Sequence, residues 1–234
     1  MQLSNRNLTL TIFLLFCLSS IAQDSIPSTI IDPVYREDQF YVGITYNVIT
    51  DVPSGVSTRG LSGGLQFGYL RDMPLNERRN VAIAVGAGLV IDRFGQTLFI
   101  GESTNNETIF SILDGDVDYN SNRFSTYTVE APIQFRWRTS TAGSYKFWRI
   151  YTGFRIGYTY YYKAIFKQTD NNVEQTDIPE FDRLRLGASL SFGYNTFNFY
   201  VYYSINPFFK DAITDSGQNV DFRTVKVGLM FYIL

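Results

Sequence analysis

The sequence predicts an all-β fold, an eight-stranded antiparallel up-and-down transmembrane β-barrel. Eight stretches after residue 38 alternate apolar residues with polar or small ones, which is the period-two pattern of strands. No window shows a helical stripe of comparable length. The 234-residue chain has 20 Phe, 17 Tyr and 18 Gly but only 18% charged residues. This composition indicates a sheet protein with few charged side chains for a surface in water.

The chain is predicted to begin with a cleaved export signal, residues 1–22. A short segment carrying Arg6 precedes an apolar run over residues 8–18, and Ser20 and Ala22 are the small residues that signal peptidase requires. The apolar run is well short of the ~20 residues that a membrane-spanning helix needs. Export across the inner membrane is therefore expected.

The eight alternating stretches are the predicted barrel strands. In the sixth, for example, Leu184 and Leu186 share one face while Arg185 lies on the other. The barrel domain is expected to cover 39–234, after a periplasmic lead-in over 23–38. The strands are predicted at residues 40–49, 60–70, 81–92, 124–138, 148–163, 183–192, 197–206 and 222–234.

Two closed architectures fit these strands. A secreted, lipocalin-like binding barrel turns its apolar face inward around a ligand, whereas a transmembrane barrel turns that face to lipid. The apolar faces are nearly free of charge at mid-strand, and the aromatic residues gather towards strand ends, as in interfacial girdles. Both observations favour the transmembrane barrel. The girdle candidates are Phe40, Tyr69, Trp137, Trp148, Tyr160 and Tyr194.

The connections between strands alternate in length. Long external loops and short periplasmic turns are the pattern of bacterial outer-membrane barrels. The sequence therefore predicts an outer-membrane location with both chain ends in the periplasm. The long connections are predicted near 50–59, 94–122, 167–182 and 208–219, and the short ones near 71–79, 139–146 and 195–196.

The predicted inward face carries a polar network with more cations than anions. Eight strands enclose a lumen that side chains nearly fill, so paired carboxylates and arginines would plug it. The alternative is a narrow channel for small solutes or ions, since rings of Arg and Lys favour anions. The inward charged residues are Asp92, Glu130, Arg136, Arg149, Arg155, Lys163, Arg183, Arg185 and Lys226.

The composition excludes several functional classes. The chain has no His, and its single Cys, Cys17, lies in the export signal. Ser-His and Cys-His nucleophiles and His or thiolate metal sites are therefore excluded. We predict no enzyme activity, no catalytic residues and no cofactor. With a net charge of −2 there is no basic footprint for nucleic acid.

One acidic loop begins like a calcium-binding loop, with Asp114, Asp116 and Asp118 at alternate positions. The EF-hand pattern then fails, because Tyr119 replaces the required Gly and Ser125 replaces the final Glu. We predict no metal site there; a weak surface calcium site is the alternative to a solvated acidic loop.

The last strand resembles the C-terminal signal that the barrel-assembly machinery reads. It places Lys226 two residues before Gly228 and hydrophobic residues at Phe231 and Ile233, although it ends in Leu234 rather than an aromatic residue. The resemblance implies that this machinery is a partner during biogenesis.

The fourth strand contains Glu130-Ala131-Pro132-Ile133, similar to the Glu-x-Pro-hydrophobic segment of PorT-like outer-membrane barrels of Bacteroidota. Tyr151-x-Gly153 in the fifth strand also resembles that family. The resemblance implies an eight-stranded porin-like barrel among outer-membrane lipid and lipopolysaccharide. Some members serve type IX protein secretion, so secretion or envelope proteins are the implied partners of a structural or protein-interaction role.

A proline within a paired strand also predicts a bulge or widened pairing near Pro132.

Overall fold

A computed structural model describes residues 38–105, 107–139 and 147–233. The predicted export signal, and all of the lead-in except Asp38, lie outside these residues. No helix within the described ranges is long and apolar enough to cross a membrane. The strands are β1 (Gln39–Thr50), β2 (Gly63–Pro74), β3 (Val81–Gly95), β4 (Leu98–Glu102), β5 (Thr108–Ile112), β6 (Ser121–Arg138), β7 (Trp148–Lys167), β8 (Asn172–Gln175), β9 (Leu184–Tyr194), β10 (Phe197–Ser204) and β11 (Arg223–Ile233).

Eight of these strands form a closed antiparallel ring. They pair in the order β1, β2, β3, β6, β7, β9, β10 and β11, and β11 pairs again with β1. The closing contact is continuous, from Phe40 opposite Ile233 to Thr50 opposite Arg223. The predicted eight-stranded up-and-down barrel is confirmed. The remaining strands lie outside the ring, β4 and β5 as a hairpin and β8 on the edge of β7.

The barrel has two different ends. The short connections β2–β3 and β9–β10 lie at the same end as Gln39 and Ile233, and so do the ends of β6 and β7 at Arg138 and Trp148; we call this the turn end. The long connections β1–β2, β3–β6, β7–β9 and β10–β11 lie at the other end, the loop end. The predicted alternation of connection lengths is confirmed, but two long connections are more ordered than expected, since they contain the β4–β5 hairpin and β8.

The outward face of the barrel is apolar and the inward face is polar. Phe154 is 61% exposed and Ile44 is 56% exposed, whereas Arg155 is 2% exposed and Arg136 is fully buried. A barrel in water has the opposite arrangement, because apolar area is driven away from solvent. The lipocalin-like alternative, which needs an apolar lumen, is therefore wrong.

Aromatic residues bound the outward apolar band on both sides, as predicted. Ten residue steps separate Trp137 near the turn end from Tyr127 near the loop end. At ~3.3 Å per residue and a strand tilt of ~40°, the band is about 25 Å tall, the height of the apolar belt of outer-membrane barrels. The exposed aromatic side chains at the turn end include Phe40, Tyr69, Trp137, Trp148, Tyr194 and Phe197, and those at the loop end include Tyr46, Tyr158, Tyr160, Tyr161 and Tyr203.

Pro132 interrupts one ladder without shifting it. The β3–β6 register is the same on both sides, with Val85 opposite Ile133 and Gly88 opposite Glu130, but the pairing is missing opposite Pro132. Proline has no N–H to donate at this point. The predicted widening of the pairing near Pro132 is confirmed.

A separate β-bulge lies on β7 at Tyr160. Tyr127 pairs with Tyr161 while Thr128 pairs with Thr159, so Tyr160 is an extra residue. An extra residue exchanges the two faces of the strand beyond it. The prediction that Lys163 faces the lumen is therefore wrong: Lys163 points outward and Tyr162 is buried in its place.

We expect an Arg at the middle of the outward band to destabilise the barrel. Phe154→Arg should lower the free energy of unfolding by about 2–4 kcal/mol, because a cation then lies at the bilayer midplane. Trp148→Arg at the band edge should cost no more than about 1 kcal/mol. Urea unfolding in phospholipid vesicles measures both. Equal losses at the two positions would contradict the assigned band.

Candidate functional site: the charged lumen and its cap

The lumen near the turn end is organised around one carboxylate, Asp72. Arg138 donates from Nη1 to Asp72 Oδ1 at 3.0 Å and from Nη2 to Oδ2 at 2.8 Å, and Arg136 Nη1 donates to Oδ1 at 3.1 Å. All three side chains are fully buried. The bidentate geometry is the strong form of an Arg–carboxylate pair, and it joins β2 to β6 across the barrel interior.

The middle of the lumen is organised around Glu130. This carboxylate forms an ion pair with Arg155 from the neighbouring strand, and the Tyr41 hydroxyl donates to its Oε1 at 3.0 Å. Arg155 also donates to Gln66 Oε1 at 3.1 Å and lies 5.3 and 5.2 Å from the ring centroids of Tyr41 and Tyr200. The guanidinium is thus held by a carboxylate, an amide and two aromatic rings.

A third pair, Asp92 with Lys226, lies nearer the loop end. Asn47 Nδ2 donates to Asp92 Oδ1 at 2.9 Å, and Lys226 Nζ lies 4.9 Å from the ring centroid of Tyr202. Lys226 thus lies in the lumen, paired with Asp92. Its neighbour two residues on, Gly228, pairs with Thr45 in the closing contact, so the predicted assembly-signal strand is the strand that closes the ring.

Side chains close the lumen between these pairs. The cavity between the Glu130 and Asp92 levels measures about 30 Å³, room for only a few waters. Glycines allow aromatic side chains to fill the remaining space, because a Cβ on Gly88 would collide with the Tyr41 hydroxyl and one on Gly187 would collide with the Tyr202 ring. The described lumen therefore has the form of a plug and not of an open pore.

Two predicted lumen arginines, Arg149 and Arg185, are held in other ways. Arg149 is buried against the Phe147 and Tyr232 rings, 4.4 and 5.9 Å from their centroids. Arg185 donates to the carbonyls of Asp182 and Pro207 at 2.6 and 2.8 Å. Neither forms an ion pair with the three lumen carboxylates in the described residues.

Arg183 lies at the rim of the loop end and is only half-buried. It donates to the carbonyls of Thr159 and Tyr160, beside the β7 bulge, and lies 5.1 Å from the Tyr162 ring centroid. It is therefore not part of the lumen network to which the sequence assigned it.

Asp72 and Arg138, whose side chains form a fully buried ion pair, are absent from the predicted lumen network. Strand 2 was predicted to end at residue 70, whereas β2 continues to Pro74. Continued alternation was the available signal, since Leu70 and Asp72 face inward while Tyr69 and Met73 face outward.

A hydrophobic cap closes the loop end above the charged lumen. All four long connections contribute, and the rings pack edge to face, with Phe94 and Phe208 5.2 Å apart and Phe110 and Phe209 5.3 Å apart. Arg185 marks the boundary, with the Phe208 centroid 4.8 Å above it. We call this cluster the cap; its buried residues are Ile49, Val56, Phe94, Leu98, Ile100, Phe110, Phe124, Tyr162, Ala164, Ile178, Phe181, Phe208, Phe209, Ala212, Val220 and Phe222.

Polar contacts hold the cap connections in place. Asn122 Nδ2 donates to the carbonyls of Gln96 and Leu98, at 3.0 and 2.8 Å. Asp182 binds Lys210 Nζ at 2.9 Å. Burial acts to raise the pKa of the Asp182 carboxyl. Hydrogen bonds from Lys210 and the Leu184 N–H, together with the nearby Arg185 charge, outweigh burial and hold the pKa below its usual value.

The acidic loop is exposed beside the cap. Asp114, Asp116 and Asp118 all face solvent, and Val117 N donates to the Asp114 carbonyl at 3.1 Å in a simple turn. Across the described residues, no group of three or more carboxylate, His or Cys side chains could hold a metal ion.

We expect Glu130→Leu to destabilise the barrel by about 3–5 kcal/mol, because it leaves the Arg155 guanidinium as an unpaired buried charge. The matched double variant Glu130→Leu/Arg155→Leu should recover most of that loss, since no charge is then left alone. Urea unfolding in detergent, followed by tryptophan fluorescence, measures both. A double variant as unstable as the single one would refute the ion pair as the cause.

Comparisons with known proteins found a similar solved structure and a matching family model. The structure of Ail, the attachment invasion locus protein of Yersinia pestis, in complex with the heparin analogue sucrose octasulfate, is similar at 17% sequence identity and a TM-score of 0.38, over 86% of this chain and 100% of that chain. No curated protein matches this chain. The family model described as outer membrane protein beta-barrel domain matches residues 21–210, well over half of the sequence. The chain therefore belongs to the outer membrane protein beta-barrel domain family.

Proposed function

We propose that this outer-membrane barrel is a closed, non-enzymatic scaffold that presents its loop-end cap to a protein partner in the cell envelope. The observation that carries the proposal is the closure of the lumen. The Asp72, Glu130 and Asp92 ion pairs occupy successive levels, and the aromatic cap lies above them. A barrel filled in this way offers its surfaces rather than a passage.

The exposed surface of the cap is acidic. Few cations accompany its carboxylates; Arg59, Lys167 and Lys210 are exposed there. A partner with a basic surface fits this charge, because complementary charge steers association and suppresses wrong partners. The exposed carboxylates include Glu102, Glu107, Asp114, Asp116, Asp118, Asp170, Glu174, Asp177, Asp211, Asp215 and Asp221.

The proposal includes a direction of insertion. The chain is exported by the cleaved signal at residues 1–22, its two ends lie in the periplasm, and the cap faces outward. Support comes from the clustering of all long connections at the loop end, away from Gln39 and Ile233. The PorT-like resemblance of the Glu130 to Ile133 segment supports a role in type IX-like protein secretion.

The absence of enzyme activity is part of the proposal. The sequence has no His, and the Glu130 and Asp92 carboxylates are each held in a buried ion pair. General acid-base catalysis needs a titratable group within reach of a substrate. The cavity of about 30 Å³ beside these pairs has no room for a substrate.

Loss of the chain should selectively reduce exported cargo, with precursors accumulating in the periplasm. The measurement is the secreted and surface proteome of a strain that lacks it. Restoring the wild-type chain should restore secretion, whereas the variant Asp114→Asn/Asp116→Asn/Asp118→Asn should restore it less well, because the partner loses its charge complement. An unchanged proteome in the deletion strain would refute the secretion role and leave a binding scaffold without export cargo.

A narrow anion channel is the second candidate, and the charge balance of the lumen favours it. Among the described inward residues, the six cations outnumber the three carboxylates Asp72, Asp92 and Glu130, although Arg185 also lies 3.9 Å from Asp182 Oδ2 at the rim. The cations are Arg136, Arg138, Arg149, Arg155, Arg185 and Lys226. Such an excess of positive charge would select anions if the plug opened.

Planar-bilayer recordings separate the scaffold from the channel. The scaffold predicts no steady conductance from the wild-type barrel, because the ion pairs and the cap block the lumen. Removing Glu130 by Glu130→Ala should then produce a leak or a less stable barrel. Stable, anion-selective conductance from the wild-type chain would establish the channel instead.

A further inference from the structure

Three cations lie together on the outward surface near the loop end. Arg93 on β3, Arg123 on β6 and Lys163 on β7 all point away from the lumen. Arg93 pairs with Ser125, and Ser125 pairs with Lys163, so the cations occupy adjacent strands at nearly one height. We call these three residues the basic patch. Its third member points outward only because the β7 bulge exchanges the faces of the strand.

The basic patch carries more positive charge than its neighbouring carboxylates neutralise. Neither Arg93 nor Arg123 has an ion-pair or hydrogen-bond partner for its guanidinium among the described residues. Lys163 Nζ binds Glu174, with a distance of 2.6 Å to Oε2, and both of these side chains remain partly exposed to solvent. Three cations and one carboxylate leave an excess of two positive charges, and Lys167 on the same strand adds a further exposed cation.

Among the described residues, four other cations near the loop end already have partners. Arg183 donates to backbone carbonyls, and Arg59 donates to the Tyr119 hydroxyl. Arg223 Nη1 lies 3.2 Å from Asp51 Oδ2, and Lys210 Nζ lies 2.9 Å from Asp182 Oδ2. The free positive charge is therefore concentrated on the β3–β6–β7 side. A cation excess confined to one side indicates a specific contact rather than general attraction to the bilayer.

Tyrosines form a shelf directly beneath the basic patch. In the next outward row, Ile91 pairs with Tyr127, which pairs with Tyr161. The Tyr127 centroid lies 5.4 Å from that of Tyr161 and 6.4 Å from that of Tyr160. Tyrosine sits at the headgroup level of membranes, with its ring towards the acyl chains and its hydroxyl towards water. The shelf places the patch at the depth of lipid phosphates.

We propose that the basic patch binds the phosphate groups of a phosphorylated glycolipid in the adjoining leaflet. Arg93 and Arg123 supply guanidinium forks that match phosphate geometry, and Lys163 adds a point charge. The acyl chains lie over the tyrosine shelf and the apolar residues below it, including Val129 and Tyr158. This inference rests on the barrel lying in a bilayer, but it does not depend on the partner proposed for the cap.

The test measures lipid binding to the purified full chain in dodecyl maltoside micelles by native mass spectrometry. The probes are bisphosphorylated lipid A and its monophosphorylated form. The wild-type chain should prefer the bisphosphorylated lipid. The variant Arg93→Gln/Arg123→Gln/Lys163→Gln should bind it about 100-fold more weakly, since each cation near a lipid surface contributes about fivefold in affinity.

Two further variants test whether the loss of lipid affinity is specific to the basic patch. Arg71→Gln/Arg78→Gln removes two exposed cations from the turn end and should leave lipid affinity unchanged. Glu174→Gln releases Lys163 from its ion pair and should strengthen binding about fivefold, a gain that general damage to the barrel cannot produce. Heat-modifiable gel migration shows that each variant is folded before it is measured.

Equal lipid affinity of the wild-type chain and the triple variant would overturn the proposal. So would a water-soluble sugar bisphosphate that binds as tightly as the lipid, because the patch would then be a site for free phosphates. These outcomes are independent of the cap, whose variants are scored by secretion and not by lipid affinity.

Discussion

The closing contact between β1 and β11 is the constraint on which the rest of the structure depends. Hydrocarbon offers no partner to a backbone N–H or C=O, so a sheet can cross a membrane only if its two edges pair with each other. The continuous register from Phe40–Ile233 to Thr50–Arg223 achieves this. Once the ring is closed, every strand has one face in lipid and one in a narrow interior, and the alternation of the sequence follows from that division.

The interior of the barrel holds many polar and charged side chains in a narrow space. Buried charges are costly unless they are paired, and the lumen distributes Asp72, Glu130 and Asp92 so that each meets a cation from another strand. The surplus guanidinium groups rest on aromatic rings or donate to carbonyls, as Arg149 and Arg185 do. Closure of the lumen is thus a consequence of satisfying these groups.

Much of the fold could be predicted because alternation reports directly on the two environments of a barrel strand. Strand identity, order and inward residues such as Glu130 and Arg155 follow from it. Two errors share one physical cause, since pairing partners decide where a strand ends and where it bulges. β2 extends to Asp72 because β3 continues beside it, and the register shift opposite Tyr127 turns Lys163 outward. A run of tyrosines fits either face, so the sequence contains no local sign of that shift.

The cap was beyond prediction for a different reason. Its rings come from connections far apart in sequence, and the β4–β5 hairpin has only five residues in each strand. Contacts such as Phe110 with Phe209 depend on the closed ring bringing the connections together.

The composition of the cap also sets an order of events during assembly. Phe94 and Phe124 flank the β3–β6 connection, Phe181 belongs to β7–β9 and Phe222 immediately precedes β11. The cluster cannot be completed until the last of these segments has joined the others at the loop end. Completion of the cap is therefore a late step that requires all four long connections to be in place.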